Sequence, residues 1–166
     1  MEFTILRNGN VIIEDAAIKW WTFSGMVTEN NRNGDKKFTL IIPNQDIANE
    51  LSDLGYNVKI RPAYDEGGEP NMYLEVKVKY HEKEELRFLN PDVYLISNRK
   101  KTLLDDESIR SLDGADTFER IDLEIKMGRW KRGNMTGTTA YVKEGYFTLP
   151  FSRLAARYAE EEFPCE

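Results

Sequence analysis

Trp20 and Trp21 stand side by side in Ile18-Lys19-Trp20-Trp21-Thr22-Phe23-Ser24-Gly25, next to a lysine and ahead of a loop rich in Asn, Gly and Lys. Successive side chains of a strand point to opposite faces, so one indole packs inward while the other stands on the surface. An exposed ring beside a cation can stack a base and hold its phosphate, which is recognition chemistry with no bond made or broken. The pairing of ring and cation recurs at Tyr73 with Lys77 and Lys79, in Gly128-Arg129-Trp130-Lys131-Arg132-Gly133, and at Tyr141 with Lys143.

Covalent and metal chemistry find little support. Cys165 is the one cysteine and His81 the one histidine, which excludes an internal disulfide, a thiolate cluster, a His-based triad and a multi-histidine zinc site. His81 lies beside Glu82, Lys83, Glu84 and Glu85 and reads as a solvated loop residue. Asp105, Asp106 and Glu107 are consecutive, so they do not share one strand face; they read as a helix start rather than a Mg²⁺ site. No catalytic residue, metal or cofactor is expected, and an enzyme would have to recruit metal through carboxylates alone.

A chain of 166 residues suffices for one domain with a core, and 40% hydrophobic residues exclude a disordered polymer. We expect one domain over 1–158 and a short acidic tail over 159–166. No apolar run reaches the roughly 20 residues that span a bilayer, and Met1-Glu2-Phe3-Thr4-Ile5-Leu6 lacks signal-peptide character, so a cytoplasmic protein with no membrane partner is expected. The net charge of −6 opposes a polyanionic ligand, yet what counts locally is where the cations gather. They cluster at Arg32, Lys36 and Lys37, at Arg99, Lys100 and Lys101, and at Lys126, Arg129, Lys131 and Arg132, apart from the main acidic clusters.

The elements that position these groups are mostly strands. A long first strand is predicted with Ile12, Ala16, Ile18 and Trp20 inward and Trp21 and Phe23 outward. Asn30 to Asp35 reads as a turn, and Lys37 to Ile42 as a strand stopped by Pro43. Asn44 as cap, Ile47, Leu51 and Leu54 at helical spacing, and Gly55 as terminator predict a helix. Val58 to Arg61 reads as a strand, followed by an acidic loop from Asp65 to Pro70. Met72, Leu74, Val76, Val78 and Tyr80 then share one face of a strand, with Tyr73, Glu75, Lys77 and Lys79 on the other.

Farther along, Val93 to Ser97 is a buried strand feeding a basic loop from Asn98 to Lys101, and Asp105 to Leu112 is a short helix. Ile121, Leu123, Ile125 and Met127 alternate into a loop tip at Trp130. The last strand, Thr138 to Leu149, turns Ala140 and Val142 inward and Tyr141 and Lys143 outward, with Gly145 marking a bulge. Leu154 and Tyr158 recur at helical spacing ahead of the tail. The sum is a mainly β fold, a five-stranded Greek-key barrel of the OB type with additional hairpins and one or two short helices.

Glu14-Asp15-Ala16 leading to Trp20 and Phe23-Ser24-Gly25, then Gly55-Tyr56-Asn57-Val58-Lys59, Glu69-Pro70 with Tyr73-Leu74, Ser97-Asn98-Arg99 and Ala140-Tyr141 resemble a family of tailed-phage single-stranded DNA-binding proteins. The similarity runs from about Val11 to about Tyr158. It implies an OB fold, single-stranded DNA as ligand, and a part in phage replication or recombination inside an infected or lysogenic host. The paired tryptophans and the loop at Met135 are not matched to that pattern, so Trp21 rests on strand parity alone.

Read with the local chemistry, the expected nucleic-acid-binding set is Trp21, Phe23, Arg32, Lys36, Lys37, Tyr73, Lys77, Lys79, Arg99, Lys100, Lys101, Trp130, Lys131, Arg132, Tyr141 and Lys143. Glu160 to Glu162 with Phe163 would cover the basic groove or recruit phage or host replication proteins, and an open edge strand would allow a homo-oligomer. The alternative is a protein-interaction or virion-assembly module on the same barrel, with Trp21 and Trp130 as anchors.

Overall fold

The strand from Asn71 to Lys77 follows the predicted alternation: Leu74 and Val76 are buried, as is Val78 just beyond it, while Glu75 and Lys79 are exposed. Its neighbours extend the same logic into one sheet of ten strands in the computed structural model, which describes residues 1–63, 66–68, 70–151 and 154. The strands are β1 (Glu2–Ile5), β2 (Val11–Glu14), β3 (Ile18–Thr22), β4 (Lys37–Ile42), β5 (Lys59–Arg61), β6 (Asn71–Lys77), β7 (Asp92–Ser97), β8 (Lys100–Leu104), β9 (Arg120–Arg132) and β10 (Met135–Thr148). One helix, α1 (Gln45–Leu54), and two 3-10 turns, Glu84–Leu89 and Ser108–Gly114, complete the described elements.

The hydrogen-bonded path runs β1-β2-β9-β10-β6-β4-β3, with β5 on β6 and the β7–β8 hairpin on β10. The fold is mainly β, as expected, but the sheet has ten strands rather than five and its path of paired strands is open. Most pairs are antiparallel; β10 lies parallel to β6 and to β7. The sequence reading missed the β1–β2 hairpin. Among the described residues no helix is long and apolar enough to cross a membrane.

The helix forms as its sequence dictates. The Asn44 side chain accepts from the Ile47 N–H at 2.9 Å, and Gly55 closes the helix at φ 108°, its N–H reaching back to the last turn. Ala48 and Leu51 are buried in the core. In the same way Asp105 begins the turn at Ser108–Gly114, accepting from the Ser108 N–H at 2.7 Å, and Ile109 and Leu112 are buried as predicted. These bonds to Ser108 hold the Asp105 carboxyl below its usual range.

The first strand departs from its prediction. Asp15 and Trp20 take left-handed backbone angles, φ 55° and 52°, and the β3–β4 register slips between Lys19 and Thr22. Alternation holds only while every residue is extended, so each left-handed residue resets the phase. Val11 and Ile13 therefore point inward instead of Ile12, and Trp20 stands 64% exposed. Trp21 is half-buried, edge-on to Phe118 at 5.3 Å, and Phe23, expected outside, is fully buried at 0%.

Three smaller corrections concern the later strands. The bulge in β10 falls at Lys143, between Val142 and Glu144, and not at Gly145; it switches the inward set from Ala140 and Val142 to Gly145 and Phe147. Trp130 is not at a loop tip but inside β9, paired with Gly137, because β9 continues to Arg132. Lys100 and Lys101 begin β8, and the turn before them is Asn98 and Arg99, both with positive φ, the geometry of a tight two-residue hairpin. The readings at Asp65, Glu69, Tyr158 and the acidic tail fall outside the described residues.

Phe147 is the centre of an aromatic core, 5.4 Å from Phe23, 6.2 Å from Phe38 and 5.4 Å from Phe118 between ring centroids. Phe23 is held there from outside the core as well, because the Asp113 carboxylate accepts the Phe23 N–H at 2.7 Å and the Ser24 N–H at 2.8 Å. Asp113→Ala leaves both donors without that partner and should destabilise the fold by about 1–2 kcal/mol in urea unfolding, with Asp113→Asn intermediate. Equal stability of wild type and Asp113→Ala would show that water replaces the carboxylate fully.

Candidate nucleic-acid interface

β6 and β10 pair at only two positions, Val76 with Ala140 and Lys77 with Tyr141. Along this short parallel seam lies a groove of about 740 Å³. The loop before β4 supplies Asp35 and Lys36, the outer face of β6 supplies Glu75 and Lys77, and the β9–β10 arm supplies Trp130, Arg132 and Tyr141. Lys59, Lys79, Tyr80 and Asp106 close its sides.

The two aromatic rings of the arm are seated on glycines. A Cβ on Gly137, directly across from Trp130, would lie 2.3 Å from a Trp130 ring carbon, and one on Gly128 would lie 2.5 Å from the Tyr141 ring. Each ring takes the space that a side chain on its glycine would need, so both approach the backbone closely while staying partly exposed. Trp130 keeps 41% of its surface exposed and borders the groove.

Electrostatics focus on the same place. The groove is lined by five cations, Lys36, Lys59, Lys77, Lys79 and Arg132, against three carboxylates, Asp35, Glu75 and Asp106, on a chain whose net charge is −6. Several cations are already partnered: Lys36 with Asp106, Lys77 with Asp35 at 3.0 Å, and Lys37, beside the groove on β4, with Glu75 at 3.4 Å. Lys37 and Lys77 are cross-strand partners, where like charges repel, and the two carboxylates relieve that repulsion. Lys59, Lys79 and Arg132 have no carboxylate partner within 4 Å among the described residues. Burial, then Asp106, Asp105 and Asp92, push the Tyr80 hydroxyl well above its ordinary range, so it stays neutral at the groove wall.

Of the residues expected from sequence, Lys36, Lys77, Lys79, Trp130, Arg132 and Tyr141 come together here. Tyr73 lies on the same face of β6 but borders a second hollow, its hydroxyl accepting from Arg61 Nε at 3.0 Å. Lys131 has the opposite parity to Trp130 and Arg132 and does not line the groove. Lys143 sits at the bulge and pairs with Glu124 at 3.2 Å; Arg32 is exposed on its loop, outside the groove lining. Arg99, Lys100 and Lys101 belong to the β7–β8 hairpin, where Arg99 lies over Phe151 and Lys101 over Tyr94. Buried Phe23 and half-buried Trp21 serve the core. Sequence reasoning missed Lys59 and the acids Asp35, Glu75 and Asp106; Lys59 had a signal, since it alternates with Val58 and Ile60. No group of three or more metal-ligating side chains occurs among the described residues.

Comparison with known proteins gives a family and a fold. The phage ssDNA-binding domain family matches residues 3–165. Two solved structures of a single-stranded DNA-binding protein from bacteriophage Enc34 share the fold. One superposes with a TM-score of 0.54 at 10% identity over 90% of this chain and 86% of its own. The other, described as the complex with ssDNA, gives 0.54 at 11% identity over 90% and 92%. No curated protein sequence matches the chain.

The glycine seats can be tested without any ligand. Gly137→Val should force the Trp130 ring from its place and shift tryptophan emission, while the melting temperature falls little because the arm lies beyond the core. An emission spectrum unchanged from wild type would show that the ring does not depend on the seat.

Proposed function

The chain belongs to the phage ssDNA-binding domain family, and from that premise we propose that the groove between β6 and the β9–β10 arm is where it holds single-stranded DNA. The observation that carries the reading is the union, in one groove, of two glycine-seated rings and a net positive lining on an acidic protein. Bases stack on Trp130 and Tyr141, and phosphates engage Lys59, Lys79 and Arg132 first, then compete with Asp106 and Asp35 for Lys36 and Lys77. Every base has a π-face, so sequence preference is weak; a duplex hides those faces, so single strands are favoured. Nothing in this scheme requires bond chemistry, and the protein acts by covering and organising unpaired DNA during phage replication or recombination within the host cell.

The finer fold reading is an OB-type barrel. It is supported by treating β2 and β3 as halves of one bent first strand. Asp15, at φ 55°, makes the bend; Ala16 N–H donates to Ile121 of β9 at 2.7 Å, and Ile41 N–H of β4 donates to Ala17 at 2.9 Å. The order β2/β3, β4, β6, β10, β9 then returns to β2, a five-stranded circuit to which the other hairpins are additions. In that reading the groove lies on the outer surface of the barrel.

Two variants test the groove by anisotropy titration of labelled oligo-dT. Trp130→Ala should weaken binding by roughly tenfold to a hundredfold, the equivalent of about 1–3 kcal/mol for one stacked base. Asp106→Asn should do the opposite and tighten binding at low salt, because it removes the carboxylate charge that competes for Lys36 while leaving the bond from Lys36 to the Asp106 carbonyl. Full affinity in Trp130→Ala would move the site off the arm, and indifference of the wild type to DNA at low salt would favour a protein-interaction module.

A further inference from the structure

Trp20 has a conformation that the fold does not explain. Its φ of 52° lies in the left-handed region, which bulky side chains rarely adopt, and the strain buries nothing, since the indole is 64% exposed. Held-out, strained residues concentrate at functional positions. Trp20 walls a hollow of about 540 Å³ together with Lys19, Arg61, Asn71 and Tyr73. Both rings carry a cation: Lys19 Nζ lies 4.1 Å from the Trp20 ring centroid, and the Arg61 guanidinium 5.4 Å from that of Tyr73. Unlike the groove, the described lining of this hollow contains no carboxylate.

The two concavities share a wall. On β6, Asn71 and Tyr73 border the hollow, while Glu75 and Lys77, next on the same face, line the groove. The four residue steps of strand from Tyr73 to Lys77 span about 13 Å at ~3.3 Å each, close to the rise of about four stacked nucleotides at ~3.4 Å each. We infer that the hollow of Trp20, Arg61 and Tyr73 is a second base-stacking subsite for the same DNA strand, entered from the groove along the outer face of β6. This rests on the groove being the DNA-binding surface. Trp20 and Tyr73 take bases, and Lys19 and Arg61 take the phosphates between them; Arg61 also holds Tyr73 in place through its hydroxyl.

The test is a length series of labelled oligo-dT, from about 4 to about 16 nucleotides, titrated into the wild type, Trp20→Ala and Arg61→Ala. Because the Trp20 ring is exposed, its removal leaves the core intact, and a melting curve for each variant checks this. Trp20→Ala should match wild type on the shortest oligonucleotide, which the groove alone accommodates, and lose roughly tenfold in affinity on the longest. Arg61→Ala should flatten the salt dependence on the long oligonucleotide only, by about one phosphate contact. Equal affinity of Trp20→Ala and wild type at every length overturns the inference and leaves the groove standing, as does an equal loss at every length, which would make Trp20 part of the primary site. Failure of the wild type to bind any length at low salt overturns both.

Discussion

The position of Phe147 governs the arrangement around it. Its ring touches those of Phe23, Phe38 and Phe118 and so ties β10 to the end of β3, to β4 and to the segment ahead of β9. Phe147 points inward only because the bulge at Lys143 reverses the parity of β10 partway along. Before the bulge, Ala140 and Val142 face the core and Tyr141 faces out; after it, Gly145 and Phe147 face the core. One unpaired residue therefore lets a single strand display a groove aromatic at one end and bury a core aromatic at the other. Large rings packed this way contribute both burial and edge-to-face attraction, and their geometry leaves little freedom to slide.

What the sequence discloses follows from how locally each feature is encoded. α1 was legible because cap, apolar spacing and terminating glycine lie within a dozen residues and need no partner. The alternation of β6 was legible because every residue in it is extended. β3 was not, since the left-handed angles of Asp15 and Trp20 interrupt its alternation and residue type gives no sign of either. The cost of that single oversight was the exchange of roles between Trp20 and Trp21, and the wrong face for Phe23. Lys131 falls outside the groove for a different reason: residue type groups it with Trp130 and Arg132, but all three lie on one strand, where neighbours alternate.

The groove illustrates the same division. Its rings and many of its cations were named from residue type, but its acids were not, because nothing in a linear reading says that Asp35, Glu75 and Asp106 fold back on those lysines. Nor was the role of Gly128 and Gly137 visible, since it belongs to cross-strand neighbours; residue type alone marked them only as flexible punctuation.

The internal pairing of lysines with carboxylates also bears on how copies of this protein treat one another. A row of bare cations on a chain of net charge −6 would be the natural docking place for the acidic surface of the next molecule. With Lys36 and Lys77 neutralised from within, that attraction is muted at short range while the overall like charge still keeps molecules apart. On the proposed reading of the groove, a ligand with closely spaced charges along a flexible backbone would gather enough simultaneous contacts to displace the internal acids. A groove built this way would separate a polyelectrolyte from the isolated carboxylates of a crowded protein solution by valency rather than by sign alone.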